Sequence, residues 1–348
     1  MSDRIETDLG RPPAKRVRNI AELAKLAGVS AGTVSRALAN KSIVNQRTRE
    51  RIQALARQHG FQVNQMASKL RRQKTGVIAV VIPLGHDQRQ HISDPFFMTL
   101  LGALADELTE SGYDLMLSRA IPQSDPLWLD RIVSSGMVDG VLMIGQSDQY
   151  DKIEDVARDY APLVAWGNHA PAQIHCSVGT DNRGGGQLAA EYLLGKGHRS
   201  LVFLGDTTGI EIAERFHGAG AAVAKFGRGA TLQHIPVHLS IDEMTDEIAE
   251  ALTALKGDID GIVAASDAIA MAAIRQLHER GIAVPDDVAV TGFDDLPLAR
   301  QTVPQLTTIR QNITAGAAEM VSRLMGRLEG KRTESLVMPP ELVERASA

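Results

Sequence analysis

A short segment near the start of the chain carries side chains suited to contact DNA. Residues 28–40 read GVSAGTVSRALAN, and Arg36 within them can donate paired hydrogen bonds to the O6 and N7 atoms of a guanine. Nearby hydroxyl and amide groups can bind phosphates, namely those of Thr33, Ser35, Asn45 and Thr48. The alternative is an ordinary helical hairpin, on which Arg36 is a solvated surface charge.

Later in the chain, aromatic rings occur where a small ligand could pack against them. Phe96 and Phe97 open a predicted helix behind Asp94 and Pro95, which suit a helix cap and a first turn. Trp166 ends a predicted strand. These rings can stack on the apolar face of a sugar, and the phenylalanines also on a base. Each ring could equally belong to the hydrophobic core.

Motifs typical of enzymes are weak in this chain. Gly184-Gly185-Gly186 precedes a helix, but it lacks the spacing of a dinucleotide-binding loop and does not follow a predicted strand. The sequence contains no P-loop. Asp294 and Asp295 are adjacent at a predicted strand end, so their side chains should point apart rather than form an acid–base pair. We therefore expect neither an enzyme nor a bound cofactor or metal.

The composition is that of a globular protein. Of the 348 residues, 44% are hydrophobic and 23% are charged, and this length predicts two or three domains. The single cysteine excludes a disulfide scaffold and a Cys-based zinc site, and it suits a reducing cytosol. No apolar run approaches the roughly 18 residues of a membrane-spanning helix, and the first residues lack the apolar core of a secretory signal. We expect a cytoplasmic protein with no membrane partner.

The formal net charge of −5 hides a strong asymmetry along the chain. Residues 1–75 hold 16 Lys and Arg but only 5 Asp and Glu, whereas the remaining residues hold 21 and 37. A basic head on an acidic body indicates one module that binds a polyanion and one that avoids polyanions. A solvated basic tail is the alternative.

The basic head, residues 19–63, is predicted to fold as short helices after a disordered arm over residues 1–18. Asn19 followed by Glu22 three residues later is a capping-box pattern, which predicts the start of the first helix. A further helix is predicted to start near Asn45. The head should therefore be a small all-α domain.

The first two predicted helices, at about residues 20–39, form a helix-turn-helix. Gly28 suits the left-handed end of one helix, and Ser30 can cap the next. In this motif the second helix enters the major groove of DNA. Its outward positions are Ala31, Gly32, Thr33, Ser35, Arg36 and Asn40.

Residues 64–75 form a predicted hinge helix of about two turns, which Asn64 can cap. A helix this short is not stable alone in water. It is either a linker that happens to be helical or a segment that folds only on DNA. Its most apolar residues, Met66, Ala67 and Leu70, lie on one side. In the second case Leu70, paired with its symmetry mate, would enter a minor-groove step and bend the duplex.

The acidic body, residues 76–345, alternates short apolar runs with helical stretches. Runs of four to six residues, from 77–82 to 288–292, predict strands of parallel sheets in βαβ units. About 270 residues are large for one core, so we expect an α/β body of two doubly wound lobes. Ligands of such sheets bind beyond the carboxyl ends of the strands, which here means the cleft between the lobes.

Three stretches carry a family resemblance: RNIAELAKLAGVSAGTVSRAL, NQRTRERIQALARQHGF and NQMASKLRRQKTGVIAVVIP. Together they resemble the start of the LacI/GalR family of transcriptional regulators, and the resemblance continues to about residue 345. It implies a homodimeric repressor with a body like that of periplasmic binding proteins, bound to a palindromic operator in double-stranded DNA. By motif match, Ala31, Gly32 and Arg36 occupy base-reading positions, and Leu70 is the minor-groove lever.

Position 32 departs from the family pattern, because such regulators often carry a base-reading side chain there. Gly32 cannot reach a base edge. Specificity should therefore depend more on Arg36, on the hinge and on the deformability of the DNA.

The resemblance also implies an effector site between two lobes, with the chain crossing between them three times. We place the crossings near residues 175–178, 303–308 and 334–338. Lobe 1 would then comprise about residues 76–176 and 306–335, and lobe 2 about residues 177–305 and 336–345.

By motif match, Arg215, Asp294 and, more weakly, Ser266 join the aromatic residues as effector contacts, so that the predicted set is Phe96, Phe97, Trp166, Arg215, Ser266 and Asp294. The guanidinium fork of Arg215 can grip vicinal hydroxyls or a carboxylate, unless it forms a surface salt bridge. Asp294 would accept hydrogen bonds from sugar hydroxyls or ring nitrogens. Gly167 departs from the pattern, since sugar-binding members often carry a carboxylate there. The set favours a carbohydrate, and a purine-like or phosphorylated effector stays open.

The predicted function is that of a sequence-specific repressor whose operator affinity is switched by a small-molecule effector. A sugar is the favoured class of effector. We expect the repressor to release DNA when the effector binds. Corepression, in which the effector strengthens DNA binding, stays open. The rival functions are a sugar receptor without a DNA role and an enzyme on a two-lobed body. Residues 344–348 contain no leucine heptads, so a dimer rather than a tetramer is expected.

Overall fold

The computed structural model describes residues 17, 19–61, 74–84, 90–146, 148–227, 229–255 and 259–348. The chain divides into two compact units, Met1–Thr75 and Gly76–Ala348. Most of the predicted arm and of the predicted hinge, with Asn64, Ala67 and Leu70, lies outside the described residues. Val17, which the sequence places in the arm, is instead buried in the core of the first unit.

Within residues 19–61, the first unit contains α1 (Ile20–Ala27), α2 (Ala31–Leu38) and α3 (Gln46–Gln58). The side chains of Asn19, Ser30 and Asn45 each accept a hydrogen bond from the backbone N–H three residues later, which is how the sequence predicts these helices to begin. Gly28 ends α1 in the left-handed conformation, with φ 60°. The apolar faces of the helices meet in one core, and the predicted helix-turn-helix is confirmed.

Lobe 1 of the second unit is a parallel sheet covered by helices on both faces. Its strands are β1 (Val77–Pro83), β2 (Asp114–Ala120), β3 (Gly140–Ile144), β4 (Leu163–Trp166), β5 (Cys176–Thr180) and β11 (Leu336–Met338), in the order β11-β5-β4-β3-β1-β2. Its helices are α4 (Pro95–Glu110), α5 (Trp128–Ser134), α6 (Tyr150–Asp159) and α11 (Ile313–Leu328). Alternate residues of β1 enter opposite cores, since Ile78 packs with residues of α4 and α11 whereas Ala79 packs with residues of α5 and α6.

Lobe 2 repeats this architecture. Its strands are β6 (Ser200–Leu204), β7 (Thr231–Ile235), β8 (Gly261–Ala264), β9 (Ala289–Asp294), β10 (Thr307–Arg310) and β12 (Glu341–Val343), in the order β12-β10-β9-β8-β6-β7. Its helices are α7 (Asn182–Lys196), α8 (Ile210–Phe226), α9 (Ile241–Ala254) and α10 (Asp267–Glu279). The predicted pair of doubly wound sheets is confirmed, with the difference that the edge strand β12 runs antiparallel to β10.

The chain crosses between the lobes three times, at residues 181, 311–312 and 339–340, a few residues after the predicted places. The prediction was wrong for β5, which is a fully buried strand of lobe 1 and not part of a crossing. Likewise β10 belongs to lobe 2 and β11 to lobe 1. These strands have only three to five residues, and they are buried by partners that are distant in the sequence. Their local sequence pattern is therefore like that of a connection between elements.

Helices α7 and α8 pack unusually closely. A Cβ atom at Gly186 of α7 would overlap the backbone carbonyl of Arg215 in α8, and one at Gly218 of α8 would overlap the carbonyl of Arg183 in α7. The predicted absence of a strand before the three glycines was wrong, because β5 precedes α7. The glycines lie inside the helix, where Gly186 allows this contact and thereby fixes the position of Arg215.

Among the described helices, none is both long enough and apolar enough to cross a bilayer.

Candidate functional site

The head presents the predicted DNA-contacting residues on and around the outer face of α2. Ala31, Gly32, Arg36 and Asn40 are exposed, and Thr33, Ser35 and Thr48 are half-buried. The inner face of α2 is anchored in the head core by Val34 and Ala37. The outer face is therefore held by the fold and accessible at the same time.

Gly32 provides space for the guanidinium group of Arg36. The Nη2 atom of Arg36 lies 3.4 Å from the place that a Cβ atom at position 32 would take. Arg36 therefore lies back along the helix over Gly32, toward the helix start. A larger side chain at position 32 would compete with the guanidinium for this surface.

Two amides near α2 have structural partners as well. Asn40 follows α2 with φ 58°, and its side-chain oxygen accepts a 3.4 Å hydrogen bond from Gln53. The side-chain oxygen of Asn45, which the sequence offered for a phosphate, caps α3 by accepting from the Thr48 N–H at 2.9 Å. The cap uses only the acceptor oxygen, so the amide NH2 group of Asn45 can still donate to a phosphate.

The body contains a cavity between the two lobes, beyond the carboxyl ends of their strands. All six predicted effector residues line it, from lobe 1 Phe96, Phe97 and Trp166, and from lobe 2 Arg215, Ser266 and Asp294. Gln90, Asp94, Glu211 and Gln311 line it too, and sequence reasoning did not select them. The site is thus assembled from segments that are more than 200 residues apart in the chain.

The aromatic wall of the cavity comes from lobe 1. Asp94 caps α4 by accepting hydrogen bonds from the N–H groups of Phe96 at 2.8 Å and Phe97 at 3.4 Å. The half-buried Phe96 ring stands edge-on to Trp166, with 5.9 Å between their ring centroids. Phe97 and Trp166 are only 8% and 3% exposed, and both pack in the core of lobe 1. Phe96 is therefore the ring with the most surface to offer a ligand.

Arg215 is a buried cation, so it is not the surface salt bridge that the sequence left open. It is 8% exposed, and its guanidinium lies 3.7 Å from the ring centroid of Phe293. Its Nε donates to Asn182 Oδ1 at 2.8 Å and its Nη1 to the Ala265 carbonyl at 2.5 Å. Burial lowers the pKa of Arg215, and the carboxylate of Asp294, with Nη1 to Oδ1 at 3.9 Å, opposes this shift.

Asp294 ends β9 with φ 122° and points into the cavity. Its Oδ1 accepts a 2.6 Å hydrogen bond from Gln311, and burial raises the pKa of its carboxyl to about 7 against the opposing charge of Arg215. Asp295 instead binds Arg310 at 2.8 Å and Arg345. The two aspartates therefore point apart, as the sequence predicts.

Residues at the lobe crossings hold both of these charged groups. Asn182 follows the first crossing and binds Arg215, and Gln311 lies in the second crossing and binds Asp294. The crossings also bind each other, since the Thr180 hydroxyl donates to the Gln311 carbonyl at 3.2 Å. Polar residues directly after strand ends could have indicated Asn182 and Gln311, but their partners could not have been read from spacing.

A buried acceptor without a partner faces the cavity from lobe 1. The Gln90 amide donates to Asp94 at 3.2 Å, and its Oε1 finds no hydrogen-bond partner among the described residues. Burial raises the pKa of Asp94. A ligand with hydroxyl or N–H donors would satisfy Gln90.

Ser266 lies at the cavity but also caps α10, because its Oγ accepts from the Ile269 N–H at 3.2 Å. Beneath it, Asp267 accepts hydrogen bonds from the Thr308 hydroxyl at 2.5 Å and the Leu296 N–H at 2.7 Å. Burial raises the pKa of Asp267 well above its ordinary value. Ser266 therefore fixes the start of α10, and Asp267 holds the loop that follows Asp294 through the Leu296 N–H.

Comparison with known proteins identifies both units. The family described as bacterial regulatory proteins, lacI family, matches residues 19–64, and a periplasmic binding protein-like domain matches residues 190–348. The HTH-type transcriptional regulator DegA of Bacillus subtilis (strain 168) is 30% identical over 342 residues, which cover 94% of this chain and 97% of DegA. The chain belongs to the LacI family.

Two further proteins are similar to the chain over nearly its whole length. The ribose operon repressor of Halalkalibacterium halodurans is 30% identical over 331 residues, covering 94% of this chain and 96% of that protein. A crystal structure of the Lac repressor dimer, bound to operator and the anti-inducer ONPF, shares the fold with a TM-score of 0.82. That match covers 96% of this chain and 99% of the other, at 21% identity. By their names, DegA and the ribose operon repressor both regulate transcription.

Proposed function

We propose that this LacI-family protein is a repressor whose affinity for a palindromic operator is switched by a sugar bound between the lobes. The observation that carries the proposal is the division of the cavity into one aromatic wall and one charged wall. Phe96 and Trp166 form the first, and Arg215, Glu211 and Asp294 contribute to the second.

A sugar ring matches this division. Its C–H face can pack on an aromatic ring, while its hydroxyls can donate to carboxylates and to Gln90 and accept from a guanidinium. The ribose operon repressor, whose name points to the same class of compound, supports this choice.

On the DNA side, the exposed Arg36 would read a guanine while hydroxyl and amide groups around α2 bind phosphates. Two heads of a homodimer would then bind the two half-sites. In the proposed complex the hinge residues Asn64, Ala67 and Leu70 fold on the operator, with Leu70 inserted in the minor groove.

The switch is proposed to act through the lobe crossings. Arg215 and Asp294 are hydrogen-bonded to Asn182 and Gln311, which lie at two of the crossings. A ligand that binds Arg215 and Asp294 would therefore also displace these two residues. Binding would change the angle between the lobes, and hence the distance between the two hinge segments of the dimer. The expected coupling is about 1–3 kcal/mol, with the ligand-bound form favouring release of DNA.

The test begins with genomic fragments retained by the purified full-length protein at a stated moderate salt concentration, because phosphate contacts make binding salt-sensitive. We expect one enriched palindrome. On that site, Arg36→Ala should weaken binding by about 1–3 kcal/mol, which is the value of a bidentate guanine contact.

The matched control is Arg275→Ala, which removes an exposed arginine from the body, where it pairs with Glu279. Operator binding by this control should equal that of the wild type. Unchanged operator binding by Arg36→Ala would show that α2 is not the reading helix.

A further inference from the structure

The chain enters lobe 1 at Gly76, which hydrogen bonds hold in place. The carboxylate Oδ2 of Asp139 accepts from the Gly76 N–H at 2.8 Å. The Gly76 carbonyl in turn accepts from the N–H of Asp114, the first residue of β2, at 2.9 Å. Both backbone groups of the residue before β1 are therefore bound to the sheet of lobe 1.

Asp139 is itself held by this sheet and by the helix beside it. Its N–H donates to the Val77 carbonyl of β1 at 2.8 Å, and its carbonyl accepts from the Tyr160 hydroxyl at 3.2 Å. It directly precedes β3, and β1 lies between β3 and β2. Gly76 therefore moves with the central strands of lobe 1.

Lobe 2 contains the same arrangement at the corresponding end of its sheet. Asp260 directly precedes β8, and its carboxylate accepts from the N–H groups of Arg199 at 2.7 Å and Ser200 at 2.9 Å. Its own N–H donates to the Ser200 carbonyl at 3.1 Å. The Arg199 carbonyl accepts from the N–H of Thr231, the first residue of β7, at 2.8 Å. Asp139 and Asp260 therefore occupy equivalent positions in the two lobes.

The two arrangements differ in what they attach to the sheet. Arg199 closely follows α7 of the same lobe, so Asp260 joins two elements of one body. Gly76 instead follows the predicted hinge and is the first residue of the second unit. Its φ of 67° lies in the left-handed region, which glycine adopts without strain. Asp139 therefore holds the residue at which the head is attached to lobe 1.

We propose that Asp139 is a positioning residue for operator binding, because it fixes the point of lobe 1 from which the hinge extends. This inference rests on the proposed function, in which the hinge segments of a dimer fold on the operator. A hinge that starts from an ordered residue loses less conformational entropy when it folds. Asp139 therefore strengthens operator binding from within lobe 1, through the backbone of Gly76.

The experiment measures operator binding of the full-length protein by fluorescence anisotropy on the enriched palindrome, at fixed salt and well below the lowest Tm of the variants. Asp139→Ala removes the acceptor of the Gly76 N–H. It should weaken operator binding by about 5- to 30-fold, which corresponds to the cost of ordering the backbone of one residue. Asp139→Asn keeps one acceptor oxygen, so it should bind the operator more tightly than Asp139→Ala.

Asp260→Ala is the matched control, because it removes the equivalent carboxylate from lobe 2. Both alanine variants should lower Tm in thermal unfolding without DNA, since each loses hydrogen bonds to a charged group. Only Asp139→Ala should weaken operator binding. A loss of stability alone cannot produce this difference between the two variants.

Amide hydrogen exchange of the protein without DNA tests the contact itself. The peptide that contains Gly76 should exchange faster in Asp139→Ala than in the wild type, because its N–H has lost its acceptor. The same peptide should exchange at the wild-type rate in Asp260→Ala. Unchanged exchange in Asp139→Ala would show that the carboxylate does not hold Gly76.

The outcomes separate this inference from the proposed function. If the wild type binds a palindrome and Asp139→Ala binds it equally tightly, the role of Asp139 is wrong and the repressor proposal stands. Equal weakening by Asp260→Ala would also overturn the role of Asp139, since any loss of stability would then have the same effect. If the wild type binds no palindrome, the proposed function fails, and the role of Asp139 in operator binding fails with it.

Discussion

The two lobes contribute different chemistry to one cleft. Lobe 1 presents the rings of Phe96 and Trp166, which contact a ligand without strict direction, beside the polar side chains of Gln90 and Asp94, whereas lobe 2 presents Arg215, Glu211 and Asp294. Burying apolar surface yields affinity that depends little on ligand orientation, while charged hydrogen bonds depend on where each hydroxyl lies. The charged groups of lobe 2 should therefore determine which ligand is bound and transmit its binding. The rings of lobe 1 should contribute affinity that differs little from one sugar ring to another.

The largest effect should come from the helix packing that positions the charged wall. Gly186→Ala places a Cβ atom on the Arg215 carbonyl, which is backbone and cannot rotate away. Overpacking typically costs about 1–3 kcal/mol and occasionally more, and we expect at least the upper end, together with loss of ligand binding. Urea denaturation and calorimetry measure the two effects.

The control for this change is Gly195→Ala on the same helix, where a Cβ atom would meet no atom within 4 Å. Alanine there should stabilise the helix by about 0.5–1 kcal/mol. Equal effects of the two substitutions would contradict the close contact of α7 with α8.

An effect of intermediate size is expected in the pH dependence of ligand affinity, through Asp294 of lobe 2. Because burial raises the pKa of Asp294 to about 7, a large share of this carboxyl is protonated at neutral pH. Sugar hydroxyls donate better to the ionised form, so affinity should rise from about pH 6 to pH 8. Asp294→Asn should bind more weakly, by about 10- to 100-fold at pH 8, and should lose this rise. A wild-type affinity that does not change with pH would contradict the assignment.

The same raised pKa has a consequence for stability. Since the pKa in the folded state exceeds the ordinary value of 3.8, the folded protein binds more protons than the unfolded chain between about pH 4 and 7. The free energy of unfolding should therefore fall as pH rises through this window. Asp294→Asn should flatten that fall only in part, because the pKa of Asp267 is raised too.

The smallest effect should come from the aromatic wall. Phe96→Leu should weaken all bound sugars by a similar factor, about 2- to 10-fold, because ring packing contributes about 0.5–1.5 kcal/mol. Its control, Phe97→Leu, should act mainly on the stability of lobe 1, where that ring is core. A changed order of preference among sugars in Phe96→Leu would show that lobe 1 also determines specificity.

The head could be predicted from the sequence because its signals are local. Asn19, Ser30 and Asn45 cap helices within three residues, and Gly28 ends one, so each element is defined by its own segment. The parallel sheets followed from the alternation of apolar runs with helical stretches. The short strands β5, β10 and β11 could not be predicted in this way, because their partners come from distant parts of the chain.

The cavity shows the same limit. Arg215 and Asp294 were predicted through motif resemblance, but Asn182 and Gln311, which hold them, act across the lobe crossings. At Gly167 the sequence shows only that a side chain is missing. The structure adds that Glu211, which is 44 residues later in the chain, fills the space.

The central claim is that a ligand in the cleft changes the affinity for DNA, and one linkage measurement tests it most directly. Operator affinity would be measured by fluorescence anisotropy on the enriched palindrome at fixed salt, with and without a saturating concentration of the monosaccharide that binds the full-length protein most tightly in calorimetric titration. We predict that the sugar weakens operator binding of the wild type by about 5- to 150-fold. Asp294→Asn should bind the operator normally and respond much less. A sugar that binds in calorimetry and leaves the operator Kd of the wild type unchanged would contradict the account.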